Sequence, residues 1–431
     1  MSGPNRIDLA FGRGHLPVTM PAGAQVEVIR KRPLPKLPDP RAAVRVALDS
    51  PVGSAPLRQL AAGRRSACIL ICDITRPVPN HLFLRPMIED LMAAGIPASS
   101  ICVLVATGLH RPNEGAELEE LVGDPWVLKT VEVVNHFARR DEDHVDLGAT
   151  RTRGTPVRIN RRFAGADLRI ATGLVEPHFM AGWSGGRKVV APGVAHHATI
   201  RTFHSARFME DPLAVQCNLA GNPLHEEQLE IVRMLGDVYA LNTVIDEARD
   251  LVHVTFGEII ESHLAAVAYI DRSARVPVGR RFGTIVTSSA GYPLDTTYSQ
   301  TVKGMVTPLD ILEPGGTLII ASECADGFGS PEFRDSQRRL VELGPERFLA
   351  TLMAKSLAEI DEWQTEMQLK PMRKGRIQLY TTGLDAGMRA ITGVELVDSV
   401  DAAVQASIDR LGNPSVAVIP EGPYVVPVIA A

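Results

Sequence analysis

Two short runs of apolar residues constrain the fold more than any other feature of the sequence. SACILICDIT (residues 66–75) and SICVLVATG (100–108) are almost continuously apolar, which is typical of strands buried on both faces of a parallel sheet. Between them, NHLFLRPMIEDLMAAG has helical spacing and ends at a glycine. These segments predict a β-α-β unit, and DLRIATGLVEP (167–177) predicts a further strand. The sequence therefore predicts an α/β fold with parallel-rich sheets.

The length and composition of the chain predict two such domains. A chain of 431 residues that is 45% hydrophobic exceeds what one core usually absorbs. The stretch RSARVPVGRRFG, rich in Arg, Pro and Gly, predicts a linker over residues 272–283. We expect an N-terminal α/β domain over 1–272 and a C-terminal one over 283–409, with the strand-like tail 410–431 free to return to the N-terminal domain. Near the start, IDLAFGRGHLPVTMP alternates like a β-hairpin.

The charge and the cysteines narrow the class of protein. A net charge of −5 gives no global reason to expect nucleic acid or an anionic membrane as a partner. The N-terminus lacks the pattern of a signal peptide, and no run of about 18 apolar residues occurs, so we expect a soluble cytoplasmic protein. The five cysteines form no CxxC pair and are expected to be reduced and structural.

Polar residues follow each of the three predicted strands. Asp73, Thr75 and Arg76 come just after the first, His110 after the second and His178 after the third. Open α/β sheets bind ligands at the carboxyl ends of their strands. Arg76 offers a planar fork for a carboxylate or a phosphate. Singly, a loop cap or a solvated histidine is the more ordinary interpretation, but together these residues favour a site.

The stretch EPHFMAGWSGGRKVVAPG (176–193) suggests further ligand chemistry. Its glycines, Gly185 and Gly186 among them, permit close backbone approach to a ligand, and exposed amides can cradle an anion. It is not a Walker loop, because valine follows Lys188. His204, on the helix expected for IRTFHSARF, could join the other histidines, and imidazole suits nickel, zinc or copper. No protein-only metal motif matches this spacing, so a metal held largely by another molecule remains open.

The second half of the chain offers a smaller set of candidates. In DTTYSQTVKGM, Gln300 and Lys303 are spaced i and i+3, on one face of a helix, where they could bind an anion. Taken singly, each of them is better explained by a solvated helix face. Trp363, in DEWQTEMQ, lies on an amphipathic helix and by itself indicates a packing residue.

Five motifs together carry a family resemblance. DITRPVPN, TGLHRP, EPHFMAGWSGGRK, FHSA and SQTVKGM, in this order and at these separations, resemble the nickel-dependent lactate racemase family over essentially the whole chain. The resemblance implies two α/β domains around a central cleft that holds a nickel-pincer nucleotide, a pyridinium mononucleotide with two thio groups. By position, Lys188 corresponds to the covalent tether and His204 to the one protein ligand of nickel. The other implied cofactor contacts are Asp73, Thr75, Gly185, Gly186 and Trp363.

The same resemblance implies a reaction and its residues. The reaction inverts C2 of a 2-hydroxy acid by reversible hydride transfer to the pyridinium ring, through a 2-keto acid, so that no carbanion forms. His110 and His178 would handle the hydroxyl proton of the two enantiomers. The implied partners are the 2-hydroxy acid and the maturation enzymes that make the cofactor. The implied substrate-binding residues are Arg76, Ser299, Gln300 and Lys303.

Two departures from the family pattern bear on the substrate. Ser299 stands where the family commonly has tyrosine, with Tyr298 one position earlier, and Met180 stands where phenylalanine is usual. Both predict a larger and more polar pocket, as for 2-epimerisation of a sugar acid. A nicotinamide-dependent dehydrogenase is a competing hypothesis, but no GxGxxG follows the first strand. A non-catalytic cofactor-binding relative is another, against which the intact His110 and His178 count.

Overall fold

The computed structural model describes residues 6–430 of the chain. The strands, numbered in chain order, are β1 (Arg6–Phe11), β2 (Gly14–Thr19), β3 (Gln25–Val28), β4 (Ala67–Cys72), β5 (Ile101–Ala106), β6 (Glu132–Asn135), β7 (His144–Ala149), β8 (Pro156–Asn160), β9 (Leu168–Leu174), β10 (Pro177–His178), β11 (Gly182–Trp183), β12 (Tyr239–Ile245), β13 (Leu251–Glu258), β14 (Arg275–Val278), β15 (Phe282–Ser288), β16 (Leu312–Ala321), β17 (Arg376–Tyr380), β18 (Glu395–Leu396), β19 (Ser415–Ile419) and β20 (Val426–Ile429). The α-helices are α1 (Pro40–Asp49), α2 (Leu57–Ala61), α3 (Asn80–Ala93), α4 (Ala116–Val122), α5 (Pro125–Thr130), α6 (Arg161–Ala164), α7 (Arg187–Val190), α8 (His197–Phe203), α9 (Ala206–Met209), α10 (Pro223–Met234), α11 (Ile259–Ala274), α12 (Tyr298–Val306), α13 (Pro331–Leu343), α14 (Pro345–Met353), α15 (Glu362–Lys374), α16 (Ala386–Arg389) and α17 (Val400–Leu411).

The described chain divides into two compact units, and both are α/β with parallel-rich sheets, as the sequence predicts. The N-terminal unit comprises residues 33–203 and 212–272. The C-terminal unit comprises residues 6–32, 204–211 and 273–430. One boundary therefore falls at the start of the predicted linker. Residues 6–32, however, belong to the C-terminal unit and not to the domain predicted over 1–272.

The sheet of the N-terminal unit has the strand order β13-β12-β9-β4-β5-β6. Its strands are parallel except for β13, which runs antiparallel to β12. The three apolar runs form β4, β5 and β9, and these lie side by side in the middle of the sheet. The helix predicted between the first two runs is α3, which packs Phe83 and Met87 into the same core as Ile69 and Ile71 of β4.

The sheet of the C-terminal unit has the order β18-β17-β16-β15-β19-β3, and all of these neighbours are parallel. The tail provides β19, which lies between β15 and β3 and therefore stays in the C-terminal unit. The segment before residue 33 is held in this unit because β3 pairs with β19. The predicted hairpin is present as β1 and β2, and Gly12 at its turn donates its N–H to Asp295 Oδ2 at 2.6 Å.

All five cysteines are free thiols. None of the described helices combines the length and the apolar character that crossing a bilayer requires.

Four histidines of the N-terminal unit form a row of contacting rings. The ring centroids of His136 and His144 are 5.2 Å apart, those of His144 and His196 4.9 Å, and those of His196 and His197 4.2 Å. Burial lowers the pKa of His136 to about 3 and that of His196 to about 4, and it also lowers the pKa of His144 and His197. The row is therefore uncharged at neutral pH.

This row predicts how stability responds to acid. Below about pH 6.5 an unfolded histidine takes up a proton that these folded ones do not, so the free energy of unfolding should fall as the pH drops from 6.5 towards 4. Each fully shifted histidine contributes up to about 1.4 kcal/mol per pH unit. Replacing buried His136 with Asn should flatten this dependence, measured by urea unfolding with circular dichroism at pH 7.5, 6 and 5.

The matched control is His15→Gln, which changes an exposed histidine of the β1–β2 hairpin and should leave the pH dependence unchanged. If folded His136→Asn protein kept the full pH dependence, the buried histidine row would not be its source.

Candidate functional site

The carboxyl ends of β4, β5 and β9 bring the predicted polar residues of the N-terminal unit to one edge of its sheet. Asp73 directly follows β4, His110 lies just beyond β5, and His178 lies just beyond β9. Because β4 is parallel to both of its neighbours, all three loops leave the sheet at the same edge. Among the contacts that join these loops are those of Asp73 with His110 and of Arg76 with Glu176.

The buried carboxylate of Asp73 pairs with the imidazole of His110. Asp73 Oδ2 lies 2.6 Å from His110 Nδ1, while Thr75 donates to Asp73 Oδ1 through its hydroxyl at 2.5 Å and its N–H at 3.1 Å. Burial alone would raise the pKa of Asp73, but the contacts with His110 and Thr75 outweigh it and lower the pKa to about 2. An ionised Asp73 accepts a hydrogen bond from the Nδ1–H of His110, which in the neutral ring leaves a lone pair on Nε2. The His110 side chain is half exposed, so this nitrogen can meet a ligand.

The hydrogen bonds of His178 are the reverse of those of His110, because its Nδ1 accepts where that of His110 donates. Its strand, β10, pairs with β11 so that His178 lies across from Gly182. The backbone N–H groups of Ala181 and Met180 point at His178 Nδ1 from 3.2 and 3.4 Å. Since Nδ1 accepts these hydrogen bonds, the proton of the neutral ring belongs on Nε2. The two histidines therefore offer different groups at Nε2: a lone pair on His110 and an N–H on His178.

The glycine-rich loop is fixed by its own packing. Ser184 Oγ donates to the carbonyl of Leu174 at 2.7 Å, and the Gly186 N–H donates to Asn242 Oδ1 at 3.0 Å. Gly185 and Gly186 have φ angles of +77° and +49°. A Cβ added to Gly186 would lie 2.8 Å from Cβ of His263, and one added to Gly185 would meet neighbouring protein atoms equally closely. Protein packing therefore accounts for both glycines, whereas the sequence suggested approach to a ligand.

Lys188 lies at the second position of α7, immediately after this loop, and its side chain is partly exposed. Desolvation lowers the pKa of Lys188 to about 7, and the charges of Arg76 and Arg187 act in the same direction. Arg76 Nε lies 3.4 Å from Glu176 Oε1, and Arg76 Nη1 donates to the carbonyl of Thr75 at 3.1 Å. Much of the Arg76 fork is thus already engaged by protein groups.

In the C-terminal unit, His204 packs against Trp363. The two rings are 4.8 Å apart at their centroids, and both side chains are buried. His204 is not on a helix, as the sequence suggested, but in the turn between the end of α8 at Phe203 and the start of α9 at Ala206. Trp363, in the first turn of α15, packs against His204, the candidate metal ligand, and its contact with a cofactor stays a prediction.

The helix α12 carries the remaining candidates. Lys303 donates a hydrogen bond to Oε1 of Gln300, as their i, i+3 spacing predicts. Ser299 Oγ lies 3.0 Å from Oγ1 of Thr297. Tyr298 is completely buried on another face, and its hydroxyl lies 2.7 Å from the carbonyl of Thr392. Tyr298 therefore does not replace an aromatic ring at position 299.

Sequence reasoning missed three residues that shape this site: Glu176, Arg187 and Asn242. Glu176 lies two residues beyond the end of β9 and opens a motif, which was a usable signal. Asn242 is a lone amide inside the apolar run YALNTVI, and a polar residue in a buried strand needs a partner. Among residues 6–430, no group of three or more His, Cys, Asp or Glu side chains is arranged to hold a metal ion.

Known proteins resemble this chain over most of its length. Residues 11–216 match the family model for the lactate racemase N-terminal domain, and residues 280–428 match that for the lactate racemase C-terminal domain. The lactate racemase of Lactiplantibacillus plantarum is 31% identical over 88% of this chain and 89% of its own length. That of Thermoanaerobacterium thermosaccharolyticum is 31% identical over 78% of each chain.

Solved structures give the same result for the fold. The lactate racemase apoprotein from T. thermosaccharolyticum matches with a TM-score of 0.90 and 27% identity, over 98% of this chain and 99% of that one. A protein from Thermotoga maritima matches with a TM-score of 0.65 at 18% identity, over 87% of this chain and 96% of that one. The second match bears on the fold alone.

The hydrogen bonds of the two histidines predict opposite tautomers. In ¹⁵N-histidine-labelled protein at pH 8, where a free imidazole is neutral, NMR should detect the proton on Nδ1 of His110 and on Nε2 of His178. Asp73→Asn should move the His110 proton to Nε2, because an amide N–H donates to Nδ1 where the carboxylate accepted. His110→Gln and His178→Gln variants assign the signals. The same tautomer at both positions would contradict the geometry.

Proposed function

This chain belongs to the lactate racemase family, and on that premise we propose that it inverts C2 of a 2-hydroxy carboxylic acid. As a member of the family it is an isomerase of the racemase type. We propose that the route is hydride transfer through a 2-keto acid on a nickel-pincer nucleotide. The observation that carries the proposal is the Asp73–His110 pair, which provides a base for a hydroxyl proton at the sheet edge that also leads to His178.

The residues present fit such a cofactor. When bound, a nickel-pincer nucleotide supplies an electron-poor pyridinium ring that can accept hydride from C2 and return it. Lys188 offers a partly exposed amine that is substantially unprotonated near neutral pH, as a covalent tether requires. His204 offers one imidazole, oriented by the ring of Trp363. Asp73 and Thr75 border the same loop, while Gly185 and Gly186 contribute its backbone shape.

The two histidines divide the proton handling in this proposal. His110 takes the hydroxyl proton on Nε2, and the ionised Asp73 stabilises the resulting imidazolium. His178 presents its Nε2 proton to the oxygen of the 2-keto acid. To act as the base for the mirror-image substrate, the His178 ring must give up its contacts with the backbone amides of Ala181 and Met180, because Nδ1 then carries the proton.

The substrate-binding roles follow from charge. We propose that Arg76 and Lys303 bind the carboxylate and that Gln300 hydrogen-bonds the intermediate. A 2-epimerase of a larger polar acid, such as a sugar acid, is the second candidate function. Ser299 favours it: its small hydroxyl is hydrogen-bonded to Thr297, and Tyr298 is turned into the core.

The tether predicts a covalent adduct. Protein made together with the maturation enzymes and nickel should carry added mass on the peptide that contains Lys188, detected by intact-mass and peptide mass spectrometry. Lys188→Arg, which keeps the positive charge but is a poor nucleophile, is the matched control and should carry none.

The nickel ligand can be tested on the same material. His204→Ala should keep the adduct but lose bound nickel, measured by elemental analysis. Active protein with unmodified Lys188 would refute the tether, and normal nickel content with normal activity in the His204 variant would refute the ligand.

The substrate and the hydride route can be tested together. Loaded enzyme, incubated in heavy water with enantiopure lactate, malate, 2-hydroxyglutarate and gluconate, should invert C2 with little deuterium at C2, because the transferred hydride retains the original hydrogen. NMR and chiral chromatography measure both quantities. Activity should extend beyond lactate, and Ser299→Tyr should narrow it towards lactate by filling the pocket.

Two results would count against these proposals. Extensive deuteration at C2 would indicate a carbanion and reject hydride transfer. Activity confined to lactate in the unmodified chain, with no change in Ser299→Tyr, would reject the enlarged pocket.

A further inference from the structure

Arg187 is a buried guanidinium with no carboxylate partner among the described residues. Its side chain is 1% exposed, and its Nε has no hydrogen-bond partner. Nη2 donates to the carbonyl of Ala181 at 2.9 Å, and Nη1 lies 3.1 Å from Nε2 of His263. Burial lowers the pKa of Arg187 to about 9, so it still carries its charge at neutral pH. An uncompensated buried charge is costly and calls for a function.

The contacts of Arg187 hold the loop that precedes Lys188. Ala181 lies at the start of this loop, and His263 Nε2 lies 2.8 Å from the carbonyl of Ser184 in its middle. Asn242 accepts from the N–H of Gly186 near its end. These contacts therefore fix the backbone at Lys188.

The elements packed on α7 add no anion around Arg187. His225 of α10 interacts electrostatically with Arg187, and burial lowers the pKa of His225 to about 3, so that it is uncharged. Glu227, on the same helix, is already engaged by Thr150 at 2.5 Å and by Arg153 at 3.6 Å. His263 of α11 is buried and also uncharged, because burial holds its pKa well below the usual value.

The groups that face Lys188 are cationic on balance. They are Arg76 and Arg187, the carboxylate of Glu176, and the thiol of Cys72. Glu176 is paired with Arg76, so the charges of these two residues largely offset each other. Burial raises the pKa of Cys72 to about 12, so this thiol is neutral. Arg187 is therefore the uncompensated cation that opposes a further positive charge in this pocket.

We propose that Arg187 is a positioning residue that holds the loop leading to Lys188 and keeps the Lys188 side chain as a free amine before the cofactor is attached. The importance of this role for catalysis rests on the proposed tether, but the state of the amine does not. Desolvation and the two cations together hold the pKa of Lys188 near 7, whereas an unperturbed lysine titrates near 10.4.

The test is the pH dependence of Lys188 acylation in full-length protein made without the maturation enzymes. Trace acetic anhydride is applied from pH 5.5 to 11, all remaining amines are then saturated with the deuterated reagent in denaturant, and peptide mass spectrometry gives the light fraction at each lysine. The other lysines in the same digest correct for reagent decay. The labelling midpoint of Lys188 should lie near pH 7.

Variants separate the charge of Arg187 from its packing. Arg187→Met removes the charge and should raise the Lys188 midpoint by roughly one pH unit. Arg187→Lys keeps a cation, but one that loses its proton more easily, and should raise the midpoint less than Arg187→Met does. Arg161→Met, which removes an exposed arginine of the same unit, should change nothing. Circular dichroism checks folding, and Arg187→Gln, which can still donate to Ala181, replaces the Met variant if that fails to fold.

The outcomes distinguish this proposal from the proposed function. A Lys188 midpoint above pH 9 in the unmodified chain, or an unchanged midpoint in folded Arg187→Met or Arg187→Gln, would overturn the role of Arg187. A low midpoint without any adduct in cofactor-loaded preparations would instead refute the tether and leave the role of Arg187 standing. An adduct on Lys188, together with a labelling midpoint above pH 9, would refute the role of Arg187 and leave the tether standing.

Discussion

The parallel register of β4 and β5 decides where the proton-handling groups of the N-terminal unit lie. Cys72 pairs with Ala106, so the chain leaves both strands at the same height, and Asp73 can reach across to His110. An antiparallel pair would send the two loops to opposite edges of the sheet. The 2.6 Å contact then sets the tautomer of His110, and hence what this residue can do to a ligand.

Much of the fold could be predicted from the sequence because parallel strands buried on both faces consist of nearly continuous apolar residues. β4, β5 and β9 were all predicted in this way. Other elements left weak signals. β3 is four half-exposed residues, QVEV, and nothing in them indicates that they complete a sheet with a strand some 400 positions later. The assignment of residues 6–32 to the C-terminal unit could not be predicted, since it depends on that long-range pairing.

The site was predictable as a set of residues but not as a chemical arrangement. Strand ends indicated that Asp73, His110 and His178 share an edge, and the motifs identified Lys188. The tautomer of His178 could not be predicted, because it depends on the direction in which the backbone N–H groups of Met180 and Ala181 point within the turn. The packing of His204 on Trp363 was equally hidden, since some 160 positions separate them and only the tertiary fold brings them together.

The insertion of one unit between β3 and β14 of the other has a consequence for biosynthesis. Residues 33–272 are nearly contiguous, so the unit with Lys188 can fold while later residues are still on the ribosome. β3 has to wait, because its sheet neighbour β19 is among the last segments to be translated. During synthesis the nascent chain therefore exposes an unpaired strand at one end and a nearly finished α/β unit behind it. A chaperone that covers short unpaired strands would act on β3 and not on the core of the unit that carries Lys188.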